Sequence, residues 1–216
     1  MKKFAVVLAG CGVYDGAEIH EAILAMLAIK RQGGEYQCFA PDIPQHHVIN
    51  HLTGEEANEQ RNVLVESARI ARGEIKSLSD YKVEDYDALI FPGGFGAAKN
   101  LSTVAFDGAN AKVNPEVKRV VEETHQAKKP IGALCITPAF IAKIIEGVNV
   151  TVGDDEGTIK AIEKMAGKHV KTTHGDVVVD EDNMVFTTPC YMLDAQITDI
   201  DDGTSNIVAE MMKYMK

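Results

Sequence analysis

The stretch that most constrains this chain is Lys129-Pro130-Ile131-Gly132-Ala133-Leu134-Cys135-Ile136-Thr137-Pro138-Ala139-Phe140. An apolar run ends at a cysteine, and Thr137-Pro138 then opens a second apolar segment. Thr suits a helix N-cap, and Pro suits the first helical position, where its missing N–H costs nothing. Cys135 is therefore expected on a sharp turn between a buried strand and a helix. That turn belongs at the carboxyl edge of a parallel sheet, where a nucleophile elbow presents its side chain. Unpaired amides and the positive end of the helix dipole favour thiolate there. A free cysteine is also at home as a small buried hydrophobe, and the elbow alone leaves both readings open.

Composition narrows the class. With 216 residues the chain can bury a sizeable core as one domain, taken here as 1–216. A net charge of −10 argues against a nucleic-acid or anionic-membrane surface. The four cysteines, Cys11, Cys38, Cys135 and Cys190, form no C-x-x-C pair, so neither a zinc site nor a disulfide framework is indicated. Reduced thiols lead to the expectation of a cytoplasmic protein. The first apolar run is too short for a signal segment, and no stretch is long enough to span a membrane.

In chain order, residues 4–9 read as a strand buried on both faces. Ile19, Ile23, Leu24, Leu27 and Ile29 then recur at helical spacing, and Gly33-Gly34 ends that helix. Residues 36–40 are a second strand, which makes a βαβ unit with a right-handed crossover. His46, His47 and His51 fall in the next loop, with no flanking carboxylate pattern and no helix to bring His47 and His51 onto one face, and read as solvated polar residues rather than metal ligands. A surface helix is expected over 58–72. The strand 87–91 runs into Pro92-Gly93-Gly94, where backbone amides can approach a ligand closely, although an ordinary turn fits as well. Residues 97–113 read as a loop or lid, 115–126 and 138–145 as helices, 148–152 as a strand and 156–165 as a helix. Residues 176–180 and 184–188 read as a β-hairpin, with Asp and Asn in its turn. A helix over 203–214 closes the chain. The strands near 3–9, 35–40, 87–92 and 130–134 are expected in one parallel sheet with helices on both faces.

These residues resemble the PfpI/ThiJ superfamily, which is class I glutamine amidotransferase-like. Gly16-Ala17-Glu18-Ile19-His20-Glu21 resembles its helix-opening acidic motif, residues 91–96 its P-G-G loop, and residues 133–138 its elbow. Within the superfamily the resemblance is nearest to the ElbB glyoxalase-like branch, on 10–16, 92–101 and 187–192. It covers essentially the whole chain and implies an α/β flavodoxin-like fold: a largely parallel sheet with a C-terminal β-hairpin. It also implies a homodimer and a cysteine nucleophile at Cys135. Departures are plain. Ile136 and Thr137 replace the residues that peptidase and amidotransferase relatives carry after the nucleophile. The position of one relatives' histidine falls near Gly153, and His174 leads into a hairpin strand rather than a helix. Cys–His hydrolysis is thereby disfavoured.

Glu18 and Glu21 share one helix face and lie along the same edge as Cys135. The resemblance makes Glu21 the acid that contacts the nucleophile and Glu18 its support; the plainer role is dipole complementation. A carboxyl with a raised pKa facing the thiol can donate to the thiolate and so lower its pKa, and Cys135 is expected to be the most acidic of the four thiols. The amides of Gly94 and Ile136 are candidates for an oxyanion hole. Cys11 and Cys190 read as packing residues. The resemblance implies a weak glyoxalase, or a deglycase, acting on small dicarbonyls without metal, glutathione or other cofactor. The alternative is a non-catalytic redox sensor or interaction protein.

Overall fold

The computed structural model describes residues 1–215. β1 (Lys3–Val7) is followed by α1 (Ile19–Arg31), β2 (Glu35–Ala40), α2 (Val63–Ile70) and β3 (Ile75–Ser77). β4 (Ala88–Phe91) leads through the short helices α3 (Phe95–Lys99) and α4 (Val104–Asp107) to α5 (Pro115–Gln126) and the elbow strand β5 (Ile131–Leu134). Next come α6 (Pro138–Ile144), β6 (Asn149–Val150), α7 (Glu156–Lys164) and β7 (Lys168–His169). The hairpin of β8 (Val178–Asp180) and β9 (Val185–Thr188) precedes the last helix, α8 (Ile197–Tyr214).

Seven strands form one sheet in the order β3-β2-β1-β4-β5-β9-β8. Every neighbouring pair is parallel except β8 with β9. The central order β2-β1-β4-β5-β9 is the flavodoxin-like one. The chain leaves β1 and β4 in opposite directions across the sheet. Right-handed crossovers therefore put α1 and α5 on opposite faces. α8 packs along α1, and α6 beside α5. Phe4, Phe39, Phe91, Phe140 and Phe186 are fully buried, each contributing on the order of 1.5–3 kcal/mol through loss of apolar surface to water.

The expected parallel strands and hairpin are all present, and several elements differ from their expected bounds. α2 begins only at Val63, because Asn62 is extended and its side chain accepts from the Val65 amide as N-cap. The stretch before it is held as a loop by isolated bridges, Pro44 to Asn62 and Ile49 to Glu56. Residues 97–113 are not a featureless lid but hold most of α3 and all of α4. The strand expected over 148–152 shortens to β6 and pairs with β7 in a separate two-stranded sheet. α8 starts before Gly203, where Gln196 and Asp199 exchange side-chain bonds with each other's backbone in a capping box.

α1 differs most tellingly. Of its expected apolar residues, Ile19, Ile23 and Leu27 are 41%, 44% and 38% exposed. The buried face is instead Glu21, Ala22, Ala25, Met26, Ala28 and Ile29. Its three alanines suit close packing on the neighbouring elements, α8 above all, and Glu21 shares that face.

Asp180 joins the two sheets. Its carboxylate accepts from the Asn149 amide at 2.6 Å and from Asn149 Nδ2 at 3.0 Å. It also accepts from the Asn183 amide at 3.1 Å and from Asn183 Nδ2 at 3.0 Å. Burial alone would raise its pKa, but these four donors hold it below the usual value. Replacing Asp180 by Ala should cost about 2–4 kcal/mol, because buried donors lose a charged acceptor. Urea unfolding checks this, and a loss under 0.5 kcal/mol, the ordinary surface range, would show that the joint is dispensable.

Candidate active site

The site assembles from the carboxyl ends of β1, β4, β5 and β9, the edge where parallel α/β sheets bind ligands. β5 delivers Cys135, whose φ of +60° is the left-handed conformation of an elbow. For a residue with a Cβ this costs on the order of 1–3 kcal/mol. The turn is held by the Cys135 amide, which donates to Thr188 O on β9 at 3.0 Å. Thr137 does not cap α6 with its side chain. Its backbone is already helical, and its hydroxyl donates to Leu134 O at 2.8 Å and Phe91 O at 3.2 Å, tying the elbow to β4.

β1 and α1 supply the acids. Glu18 is the N-cap of α1, and its Oε2 accepts from the Glu21 amide at 2.7 Å. Its own amide donates to Gly93 O at 2.9 Å. Glu21 is fully buried and forms a hydrogen bond with the Cys135 thiol. Glu21 Oε2 accepts from the Gly93 amide at 2.8 Å, and Oε1 accepts from the Tyr191 amide at 3.4 Å. Gly93 has to be glycine. A Cβ there would stand 2.5 Å from Cys135 Cβ and 2.8 Å from Glu21 Oε2. The next residue, Gly94, has φ of +96° and opens α3. Its amide and that of Ile136 both act to lower the pKa of the Cys135 thiol.

The electrostatics are those of one buried acid–thiol pair. Burial, then the neighbouring Glu18 carboxylate, raises Glu21 to about 7, against the opposing bonds from Gly93, Cys135 and Tyr191. Burial and the Glu21 carboxylate likewise push the Cys135 thiol well up, against the two amides. The expected depression of that thiol is therefore not found, and neither is its rank as the most acidic of the four. Burial outweighs the helix start. The pair gives up its first proton near neutral pH and retains the second.

Sequence reasoning missed two contributors. Cys190, expected only to pack, is buried close enough for Glu21 and Cys135 to raise its thiol further. Tyr191 donates its amide to Glu21, and its hydroxyl bonds His20 Nδ1 at 2.8 Å. The signal for both lay in residues 187–192, which had been noted as a family signature without roles. Cys11 lies apart, beside Glu66, Arg69 and Asp15. His51 stacks on Tyr14, and His46 and His47 pack with Phe106. His174 is exposed before the hairpin. Among the described residues no group of three or more His, Cys, Asp or Glu could hold a metal ion, and no helix is long and apolar enough to cross a membrane. A cavity of about 410 Å³ opens over Cys135, walled by Glu18, Gly94, Ile136, Asp155, Thr158 and Tyr191 among others.

Comparison with known proteins fits this geometry. Residues 13–194 match the DJ-1/PfpI family. The chain is 49% identical to the rat ES1 protein homolog, mitochondrial, over 98% of its own length and 83% of the relative's. It is equally 49% identical to the human glutamine amidotransferase-like class 1 domain-containing protein 3, mitochondrial, covering 98% of this chain and 82% of that one. A crystal structure from Ehrlichia chaffeensis, described as an isoprenoid biosynthesis protein with amidotransferase-like domain, superposes with TM-score 0.94 at 41% identity over the full length of both chains. The expectation of a cytoplasmic location does not stand, since the rat, human and zebrafish relatives are all named as mitochondrial. Reduced thiols argue against an oxidising compartment and specify nothing finer.

The raised Glu21 carboxyl has a consequence for stability. It ionises at 4.5 when unperturbed and at about 7 in the fold, so the native chain binds the proton more tightly than the unfolded one. The resulting stability is fully present below the unfolded value and is lost as pH rises through the folded one. The loss amounts to roughly 3 kcal/mol. Between pH 5 and pH 8 the parent should lose stability relative to Glu21→Gln, as read by urea unfolding at each pH. Parallel pH profiles for the two proteins would show that Glu21 ionises as an unperturbed acid.

Proposed function

We propose that this chain, which belongs to the DJ-1/PfpI family, is a glyoxalase of the ElbB type. It would convert glyoxal to glycolate, and methylglyoxal to lactate, with Cys135 as nucleophile and no metal or glutathione. The observation that carries the proposal is the Glu21–Cys135 pair, buried yet opening on a cavity, with the Gly94 and Ile136 amides favouring the thiolate. Glutamine amidotransfer is not adopted for this chain, because that chemistry in this superfamily uses a Cys–His pair and no histidine lines the Cys135 cavity.

The steps follow from where the protons sit. Glu21 as carboxylate takes the thiol proton while the sulfur attacks one aldehyde carbon. In this reading the oxyanion that forms rests on the Gly94 and Ile136 amides, and then regains the proton. Glu21 next removes the hydrogen on the carbon bonded to sulfur. It returns a proton to the neighbouring carbon through an enediol, leaving a thioester of the α-hydroxy acid. Water cleaves the thioester, releasing glycolate and restoring the thiol. One water is consumed overall, and the oxidation of one carbon balances the reduction of the other. Glu18 supports Glu21 by fixing the first turn of α1 and by its charge. The family resemblance also implies a homodimer, which is part of the same proposal and is read by sedimentation velocity.

The test uses glyoxal as sole substrate in deuterium oxide, with metal chelated and thiols absent. Glycolate should form with solvent deuterium on its α-carbon, and Cys135→Ser or Glu21→Ala should reduce kcat/KM at least 100-fold. Activity should rise with pH through about 7, as the pair loses its first proton. Either variant turning over as fast as the parent would remove the site from the chemistry. Reversible oxidation of Cys135 with no glycolate would point to a redox sensor instead.

A further inference from the structure

The cavity over Cys135 is far larger than glyoxal requires. Glyoxal has four heavy atoms, roughly 120 Å³ if each takes a water's share of about 30 Å³, against the cavity's 410 Å³. Most of the space is thus available to a substituent on the reacting carbonyl. What surrounds that space is apolar or acidic. Val13, Phe95, Ile136, Met192 and the Tyr191 ring supply apolar wall, and the charged side chains are Glu18 and Asp155. Among the described residues no lysine, arginine or histidine lines it. Lys99 is engaged next door, donating to Tyr14 O at 3.0 Å with its ammonium 5.3 Å from the centre of the Phe95 ring. His20 bonds the Tyr191 hydroxyl.

Away from the reacting sulfur and its two amides, the feature that could favour an anionic substituent is the N-terminus of α7, and it is already answered. Asp155 is its N-cap, with Oδ1 accepting from the Thr158 amide at 2.7 Å. The dipole end thus faces a built-in carboxylate instead of an incoming one. Buried behind all this, the Glu21–Cys135 pair itself carries one negative charge above neutral pH.

We propose that the cavity selects electrophilic carbonyl compounds whose substituent is uncharged or cationic and rejects anionic ones, with Asp155 as the residue that sets this specificity. The ligand class is an alkyl- or aryl-substituted 2-oxoaldehyde, or one bearing an amine, rather than a phosphorylated or carboxylated one. As a statement about substrates this rests on the proposed glyoxalase chemistry; as a statement about access to Cys135 it does not.

The experiment exploits that difference. Cys135 in the full chain is labelled with three methanethiosulfonates of similar size: the neutral pentyl, the cationic ethyltrimethylammonium and the anionic ethylsulfonate reagents. Each rate is followed on the Cys135 peptide by mass spectrometry and divided by that reagent's rate with N-acetylcysteine amide. The neutral and cationic reagents should be at least tenfold faster than the anionic one, and the gap should narrow in high salt. Asp155→Asn removes the charge while keeping an equally good N-cap, and should raise the anionic-to-neutral ratio at least threefold. Equal rates for the three reagents, no labelling by any of them, or a ratio indifferent to Asp155→Asn would each overturn the proposal. Charge selection without glycolate formation would sustain it and sink the glyoxalase reading. Glycolate formation without charge selection would do the reverse.

Discussion

The site depends on a carboxyl being buried beside a thiol. A fully buried carboxylate is costly unless it is hydrogen-bonded or neutralised. Here the chain does some of both. The Gly93 and Tyr191 amides satisfy the two oxygens of Glu21, and the raised pKa lets a proton sit on the group near neutrality. Neither would be possible with a side chain at residue 93, whose Cβ would collide with Cys135 and Glu21 together. One missing methyl group therefore fixes the distance between acid and thiol.

The sheet supplies the convergence. β1, β4, β5 and β9 all run the same way, so the residues after each strand emerge on one edge within reach of each other. β9 is the least obvious member. It follows a hairpin turn from the edge strand β8, and so returns parallel beside β5. Its carboxyl end then carries Cys190 and Tyr191 over the elbow. Two cysteines there, Cys135 and Cys190, are both held at positive φ, +60° and +43°. The surrounding ladder has to offset that strain, and the Cys135 amide bond to Thr188 O is its most direct restraint.

Much of this was legible in the sequence, for reasons that differ by element. A buried apolar run ending at Cys135 before Thr137-Pro138 specifies strand, turn and helix together, and β5 and α6 form as expected. The pair of acids on one face of α1 follows from helical periodicity. Which face of α1 points inward does not. Hydrophobicity singles out Ile19, Ile23 and Leu27, whereas close packing on the neighbouring elements selects Ala22, Ala25 and Ala28. Helix starts went astray where the cap was Asn62 or Gln196 rather than the residue that hydrophobic periodicity suggested. The thiol was misjudged because a helix start can be read locally, while the depth of burial is a property of the whole fold. Cys190 and Tyr191 were hidden for the same reason: only the return of β9 brings them to residues far distant in the chain.

The two acids of α1 show how little local sequence decides the role of a side chain. Glu18 and Glu21 are the same residue type on the same turn. Glu18 sits at the rim, with its oxygens on the Glu21 amide and facing His20. Glu21 sits one turn deeper, with its oxygens on two other amides and the thiol. The outer charge is then one of the causes that raises the inner carboxyl, so the rim residue acts on the chemistry without touching the sulfur. Moving α1 outward, as larger residues in place of its alanines would require, would hydrate Glu21. That would remove both the desolvation that raises its pKa and the contact through which it exchanges a proton with Cys135. The close packing of α1 thus links the small residues of that helix to the protonation state of a thiol on another strand.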